Sequence, residues 1–175
     1  MAYRRISKRE VYRNRWIAVE VHAIVHPSGV EGEHVLIDVP APSGVLVDDD
    51  GDLLFARQPR FAIGADTIEI VKGGANAGED ALACAQRELR EELGIIARSW
   101  VSLGILYEIP SIVEKPLSLF LAREIEHVVD EQEDVERIDL VRVPAADALT
   151  AAVQGRINDA VTVAALLRYA GVPKP

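Results

Sequence analysis

Apolar positions along this chain change their period twice. Between residues 16 and 58, short runs rich in Val, Ile and Leu (Trp16–Val25, Glu33–Val39, Ser43–Val47 and Asp52–Gln58) alternate with clusters of Pro, Gly and Asp, the pattern of strands broken by turns. Asp48-Asp49-Asp50-Gly51, set between two of these runs, predicts a hairpin, because Asp and Gly accept the positive φ of tight turns. The same aspartates do not read as a calcium loop, whose last ligand is a bidentate Glu where this chain has Pro59. From Asp80 to Leu93 the spacing becomes helical, with Leu82, Ala85, Leu89 and Leu93 on one stripe and Gly94 as the stop. Strands return at Trp100–Glu108, Pro116–Arg123 and Val135–Val143, and Ala145–Val153 and Asn158–Ala170 then read as helices separated by Gly155. Strands, one central helix, more strands and final helices predict an α/β protein with a mixed sheet packed between helices.

The length of 175 residues suits one compact domain with a short terminal elaboration. A hydrophobic share of 49% against 27% charged residues excludes a disordered chain and allows a real core. Charge changes the picture more. With 19 Lys and Arg against 28 Asp and Glu, the net charge of −9 repels a nucleic-acid backbone and argues against duplex DNA as a partner. A phosphate-rich ligand would then need a local basic patch or bound divalent cations. The single Cys84 excludes an intrachain disulfide and a Cys-based zinc site, which points to a cytoplasmic protein. Met1 to Glu10 is basic without a signal peptide's apolar core, and no run approaches the roughly 18 apolar residues of a membrane span.

The chemistry concentrates in Gly73-Gly74-Ala75-Asn76-Ala77-Gly78-Glu79 and the following Arg87-Glu88-Leu89-Arg90-Glu91-Glu92-Leu93-Gly94-Ile95. On a helix, Glu88 and Glu92 lie about 40° apart and Glu91 about 60° to the other side of Glu88. Like charges so placed oppose helix formation unless cations hold them together. Hard oxygen ligands without imidazole or thiolate select Mg²⁺ or Mn²⁺ over zinc. Ala81 and Ala85, near the acidic flank, are expected to leave room for metal, water and substrate, and the glycines allow the preceding loop to close on the same surface. A Glu-rich helix is usually a solvated face; the joint spacing of Gly73, Glu79, Arg87, Glu88, Glu91, Glu92 and Gly94 argues otherwise.

This stretch resembles the signature of the Nudix hydrolases, G-x5-E-x7-R-E-U-x-E-E-x-G-U with U aliphatic, at every specified position. Arg57-Gln58-Pro59-Arg60-Phe61, Glu69-Ile70-Val71-Lys72-Gly73, Trp100–Tyr107 and Gly155-Arg156-Ile157-Asn158-Asp159-Ala160 are similar to stretches of the ADP-ribose pyrophosphatase branch. The resemblance implies a Nudix-type α/β/α sandwich with a mixed β-sheet and an N-terminal β extension. It also implies metal-dependent hydrolysis of ADP-ribose or a related ADP compound to AMP and a phosphorylated moiety. Glu88 and Glu92 would be the principal ligands of Mg²⁺, with Mn²⁺ as a substitute. Glu91 would ligate or support them, and Lys72 would add its backbone carbonyl. Arg87 would orient the glutamates and Glu79 would fix the loop. Residues 1–45 would form a β segment exchanged in a homodimer, and 46–175 the hydrolase domain.

The general base of that branch comes from an acidic loop after the box, here Asp130 to Glu136, with Glu136 the best-placed candidate and Asp134 and Glu133 next. Arg60 is the expected contact to substrate phosphate or ribose, since a guanidinium binds phosphate oxygens bidentately, and Glu69 is placed with it at the substrate. Trp16, Phe61 and Tyr107 leave two readings open, stacking on a base or the core packing usual for aromatics in strands; Cys84 reads as a buried small residue, and His22, His26, His34 and His127 show no ligand spacing. Val71-Lys72 replaces the Pro-Ala that often precedes the box, and Ile109 to Glu114 replaces a Ser-Pro-Gly loop. Both features look like relatives that cleave several ADP compounds, and Lys72-Gly73-Gly74 is also similar to diadenosine-polyphosphate hydrolases. Dinucleoside polyphosphate, sugar-nucleotide and diphosphoinositol pyrophosphatases therefore stay open. A non-catalytic nucleotide sensor is disfavoured by the intact box.

Overall fold

The computed structural model describes residues 2–128 and 137–172. It divides into two units, Met1–Ala41 with Tyr107–Pro116, and Pro42–Leu106 with Leu117–Pro175. In the first, β1 (Arg4–Arg13), β2 (Ala18–Val25) and β3 (Glu31–Asp38) form an antiparallel sheet in the order β1-β2-β3. The Tyr107–Pro116 stretch joins it through an Ile37–Val113 bridge and a His34 Nε2 to Ser111 carbonyl contact of 2.7 Å. Sequence patterning gave no strand at β1. All ten of its residues are exposed, so it carries no apolar alternation to read.

The second unit is built on β4 (Pro42–Asp49), β5 (Asp52–Arg60), β6 (Ala65–Glu69), β7 (Val71–Gly74), β8 (Ile95–Leu106), β9 (Leu117–His127) and β10 (Asp139–Pro144). Its sheet runs β10-β5-β4-β9-β8, with β6 on β5 and β7 on β4; β4 and β9 are parallel and the other pairs antiparallel, so the sheet is mixed as expected. The edge of β4 is shared. Asp49 and Val47 pair with β5, while Val45 back to Pro42 pair with β7, because β5 turns away after Leu54 to meet β6. The predicted hairpin forms at Asp50 and Gly51, with φ of 53° and 95°.

Helices cover both faces. Leu46, Leu53 and Phe55 alternate toward α2 (Ala145–Val153) and α3 (Ala160–Tyr169), packing with Ala148, Ala151, Val161, Ala165 and Leu166. Val45, Val47, Leu54 and Ala56 point the other way, toward Ala85, Leu89 and Leu93 of α1 (Ala81–Leu93). This period of two sorts one strand's side chains into two cores, each large side chain contributing about 1.5–3 kcal/mol of burial. The arrangement is an α/β/α sandwich.

Several expectations need correction. Leu82 is 37% exposed and the buried stripe of α1 is instead Cys84, Ala85, Leu89, Glu92 and Leu93. Ala85 is fully buried in the core against the sheet, while Ala81 is half-buried. Of the two readings of Phe61, Trp16 and Tyr107, core packing is removed: all three are exposed, Phe61 on the β5–β6 turn and the other two outside strands. Strand β8 begins at Ile95, directly after the helix stop, and α3 begins at Ala160 because Asp159 is its cap. Among the described residues no helix is long and apolar enough to cross a membrane.

Candidate active site

Helix α1 starts at Asp80, whose side chain accepts a hydrogen bond from the Ala83 amide at 2.8 Å, and ends at Gly94 with φ 60°. Ser43 of β4 donates to the Ala81 carbonyl at 2.8 Å and fastens the first turn to the sheet. On this rigid support Arg87 gathers the acidic groups. Its Nε and Nη2 donate to both oxygens of Glu79 at 2.9 Å, and Nη1 donates to Glu88 Oε1 and Glu91 Oε2 at 2.8 Å. Nη2 also reaches the Gly74 carbonyl at 2.9 Å, so one guanidinium ties loop to helix. These bonds raise the Arg87 pKa, while the guanidinium and the Asn76 amide hold Glu79 below its usual range.

Glu88 lies directly against the loop. A Cβ built on Gly73 would stand 1.8 Å from the Glu88 carboxyl carbon, so only glycine allows this approach. Glu92, one turn on, is 7% exposed and turned inward, and its charge acts on Arg60. Glu79, Glu88 and Glu91 thus surround a single arginine. Among the described residues no three acidic, His or Cys side chains are clustered as an ion cage, because Glu88 and Glu91 are drawn to Arg87. The donor set nonetheless fits a hard divalent cation: the available donors are carboxylate oxygens, negative charge is in excess, and Gly73 leaves the Glu88 carboxylate open to the loop backbone.

A second network lies at the β5–β6–β7 corner. Arg60 donates from Nε and Nη2 to the two oxygens of Glu69, both at 2.8 Å, and Thr67 also donates to Glu69. Lys72 Nζ lies 3.0 Å from Glu69 Oε2 and 2.9 Å from Asp159 Oδ1. Burial alone would raise the Glu69 pKa, but hydrogen bonds from Arg60 and Thr67 and the charge of Lys72 hold it down to about 2. Burial likewise opposes the charge on Lys72, and Asp159 and Glu69 override it and raise its pKa. Asp159 also caps α3, its Oδ2 accepting from the Thr162 amide at 2.8 Å and hydroxyl at 2.7 Å. These groups line a cleft of about 480 Å³ with Ala62, Ile63 and Asn158.

The structure therefore brings Arg87, Glu88 and Glu91 together on one side, and Arg60, Glu69 and Lys72 together on the other, with Glu92 acting on Arg60. Arg60 keeps 42% of its side chain exposed while Glu69, at 3%, is committed to holding it. Glu136, with Asp134 and Glu133, lies outside the described residues. Sequence reading passed over Asp159 and Thr162 at this site. Their local signal was only an Asp followed by Thr three positions later, a helix cap, and the partner Lys72 is 87 residues away.

A family model described as "NUDIX domain" matches residues 38–166, and one described as "Nucleoside diphosphate sugar hydrolase N-terminal domain" matches residues 3–35. An ADP-ribose pyrophosphatase of Bacillus subtilis is 26% identical over 92% of this chain and 89% of that protein. One of Mycobacterium tuberculosis is 28% identical over 79% of this chain and 69% of that protein. A crystal structure of an ADP compounds hydrolase shares the fold, with a TM-score of 0.83 at 22% identity, covering 98% of this chain and 94% of that one. With the complete signature folded into a loop and helix joined by Arg87, and with the family model spanning most of its length, the chain belongs to the Nudix family of pyrophosphohydrolases.

Proposed function

We propose that this enzyme hydrolyses the pyrophosphate linkage of ADP-ribose or a related ADP compound, giving AMP and a phosphorylated moiety. The observation that carries this reading is the pairing of an anionic seat at Glu79, Glu88, Glu91 and Glu92 with a cleft that presents Arg60. The relatives named ADP-ribose pyrophosphatase, which align over most of the chain, support the ADP moiety.

Nudix enzymes generally depend on a divalent metal, and here Glu88, Glu92, Glu91 and the Lys72 carbonyl would hold Mg²⁺, with Mn²⁺ as a substitute. Bound there, the ion would neutralise the diphosphate and lower the pKa of an attacking water. Arg87 orients the glutamates, and Glu79 anchors the loop by accepting from the Asn76 amide at 2.8 Å. Arg60, preset by Glu69, offers its exposed side chain to phosphate or ribose oxygens. Glu136 is the proposed base that takes the water's proton. An N-terminal β segment exchanged between two copies belongs to the same reading.

Chromatographic product analysis tests it, on ADP-ribose, NADH, diadenosine polyphosphates and GDP-mannose, each with Mg²⁺ and with Mn²⁺. ADP-ribose should give AMP and ribose phosphate at the highest kcat/KM. A preference for GDP-mannose or a dinucleoside polyphosphate would replace the ADP-ribose assignment. Glu136→Gln should lower turnover while leaving metal affinity unchanged; equal losses in both would make it a ligand.

A further inference from the structure

We infer that Asp159 and Thr162, at the start of α3, are positioning residues for the metal seat, acting through Lys72 and the backbone amide of Ile70. The inference rests on the metal-dependent reading above. Ile70 is the residue between β6 and β7; it is fully buried, and its amide donates to Thr162 Oγ1 at 2.9 Å. A buried amide at a corner between strands needs such an acceptor. The Thr162 hydroxyl is oriented for the task, because its own hydrogen is donated to Asp159 Oδ2 at 2.7 Å. The other oxygen of Asp159 accepts from Lys72 Nζ at 2.9 Å.

The start of α3 thus grips Ile70 by its backbone and Lys72 by its side chain, immediately before the backbone that approaches Glu88. Lys72 is only 16% exposed, so this ion pair is not a solvated surface contact. The next residue is Gly73, against which the Glu88 carboxylate rests. The Lys72 carbonyl, assigned above to the metal, lies on the same two-residue span. Asp159 and Thr162 touch none of the box glutamates in any of these bonds, so their effect reaches the seat through the backbone of 70–73.

A plain helix cap would ask less of Asp159. Capping uses the oxygen facing the Thr162 amide, and asparagine serves that role equally well. Asp159→Asn therefore keeps the cap and removes one of the two carboxylate charges that hold Lys72, leaving Glu69. Thr162→Val removes both hydroxyl bonds at nearly constant volume, and Thr162→Ser restores them.

The test is Mn²⁺ binding in the absence of substrate, followed by the electron paramagnetic resonance signal of free Mn²⁺, alongside thermal unfolding and hydrogen exchange at the Ile70 amide. Asp159→Asn and Thr162→Val are expected to weaken Mn²⁺ binding about 10-fold, the scale of outer partners of metal ligands. Thr162→Val should also speed exchange at Ile70, and Thr162→Ser should restore both readouts. Wild-type Mn²⁺ affinity in Asp159→Asn, with its unfolding midpoint unchanged, overturns the inference alone; this variant decides the matter if Thr162→Val does not fold. A wild-type enzyme that takes up no Mn²⁺ overturns the metal reading and the inference with it.

Discussion

The Cα of Gly73 and the carboxylate of Glu88 are in such close approach that an added methyl group would lie 2.0 Å from Oε1 and 2.2 Å from Oε2. The obstructing atoms are the far end of a flexible side chain, so Gly73→Ala should fold. Glu88 would have to swing away from the loop. Activity should fall about 10-fold or more, with Mn²⁺ binding weakened in parallel. Steady-state kinetics and a Mn²⁺ titration check this; unchanged values in both would mean that Glu88 has no part in the seat.

Arg87→Lys should be costly despite keeping the charge. A lysine cannot reproduce the two parallel bonds to Glu79 together with those to Glu88, Glu91 and the Gly74 carbonyl. A loss of about 2 kcal/mol is expected, the worth of a charge-assisted hydrogen bond at a partly buried site, and urea unfolding measures it.

Glu69 makes stability depend on acid. Its folded-state pKa of about 2 lies below the ordinary value of 4.5, so its contribution is complete above the ordinary value and is lost as pH falls toward 2. The shift corresponds to about 3 kcal/mol. Glu69→Gln should be less stable than the wild type at pH 7 by an amount of that order, and the gap should narrow between pH 5 and pH 2. Urea unfolding across this range tests it; a gap that does not change with pH would assign the stabilisation elsewhere.

Glu92→Gln keeps side-chain volume while removing a charge from a position that is 7% exposed. Turnover should drop about 100-fold or more with the circular dichroism spectrum unchanged. Near-normal turnover would remove Glu92 from the ligand set.

How far the sequence could be read follows from where each signal resides. Helix α1 was legible because its cap Asp80, its stop Gly94 and its apolar spacing are all local, and α2 has the predicted bounds Ala145–Val153 for similar reasons. Strand β7 was not, since Val71-Lys72-Gly73-Gly74 has little strand propensity and is extended only because β5 leaves that part of β4 open. In the site, Glu88 and Arg87 stand out by spacing, whereas the Arg60–Glu69 and Lys72–Asp159 pairs depend on the chain returning to the same corner. Leu82 illustrates the converse: it matches the helical period, yet α1 rests on the sheet through Cys84, Ala85 and Leu89.

The shared edge of β4 also says where this enzyme can be altered without harm. Ser43 and Gly44 align Gly73 and Lys72, whereas the Asp50-Gly51 turn closes the other end of the same strand, about 20 Å along the chain. A peptide tag or fluorophore grafted at Asp50 would therefore extend the molecule at a remove from its chemistry, and would give a labelled catalyst whose loop alignment is inherited intact.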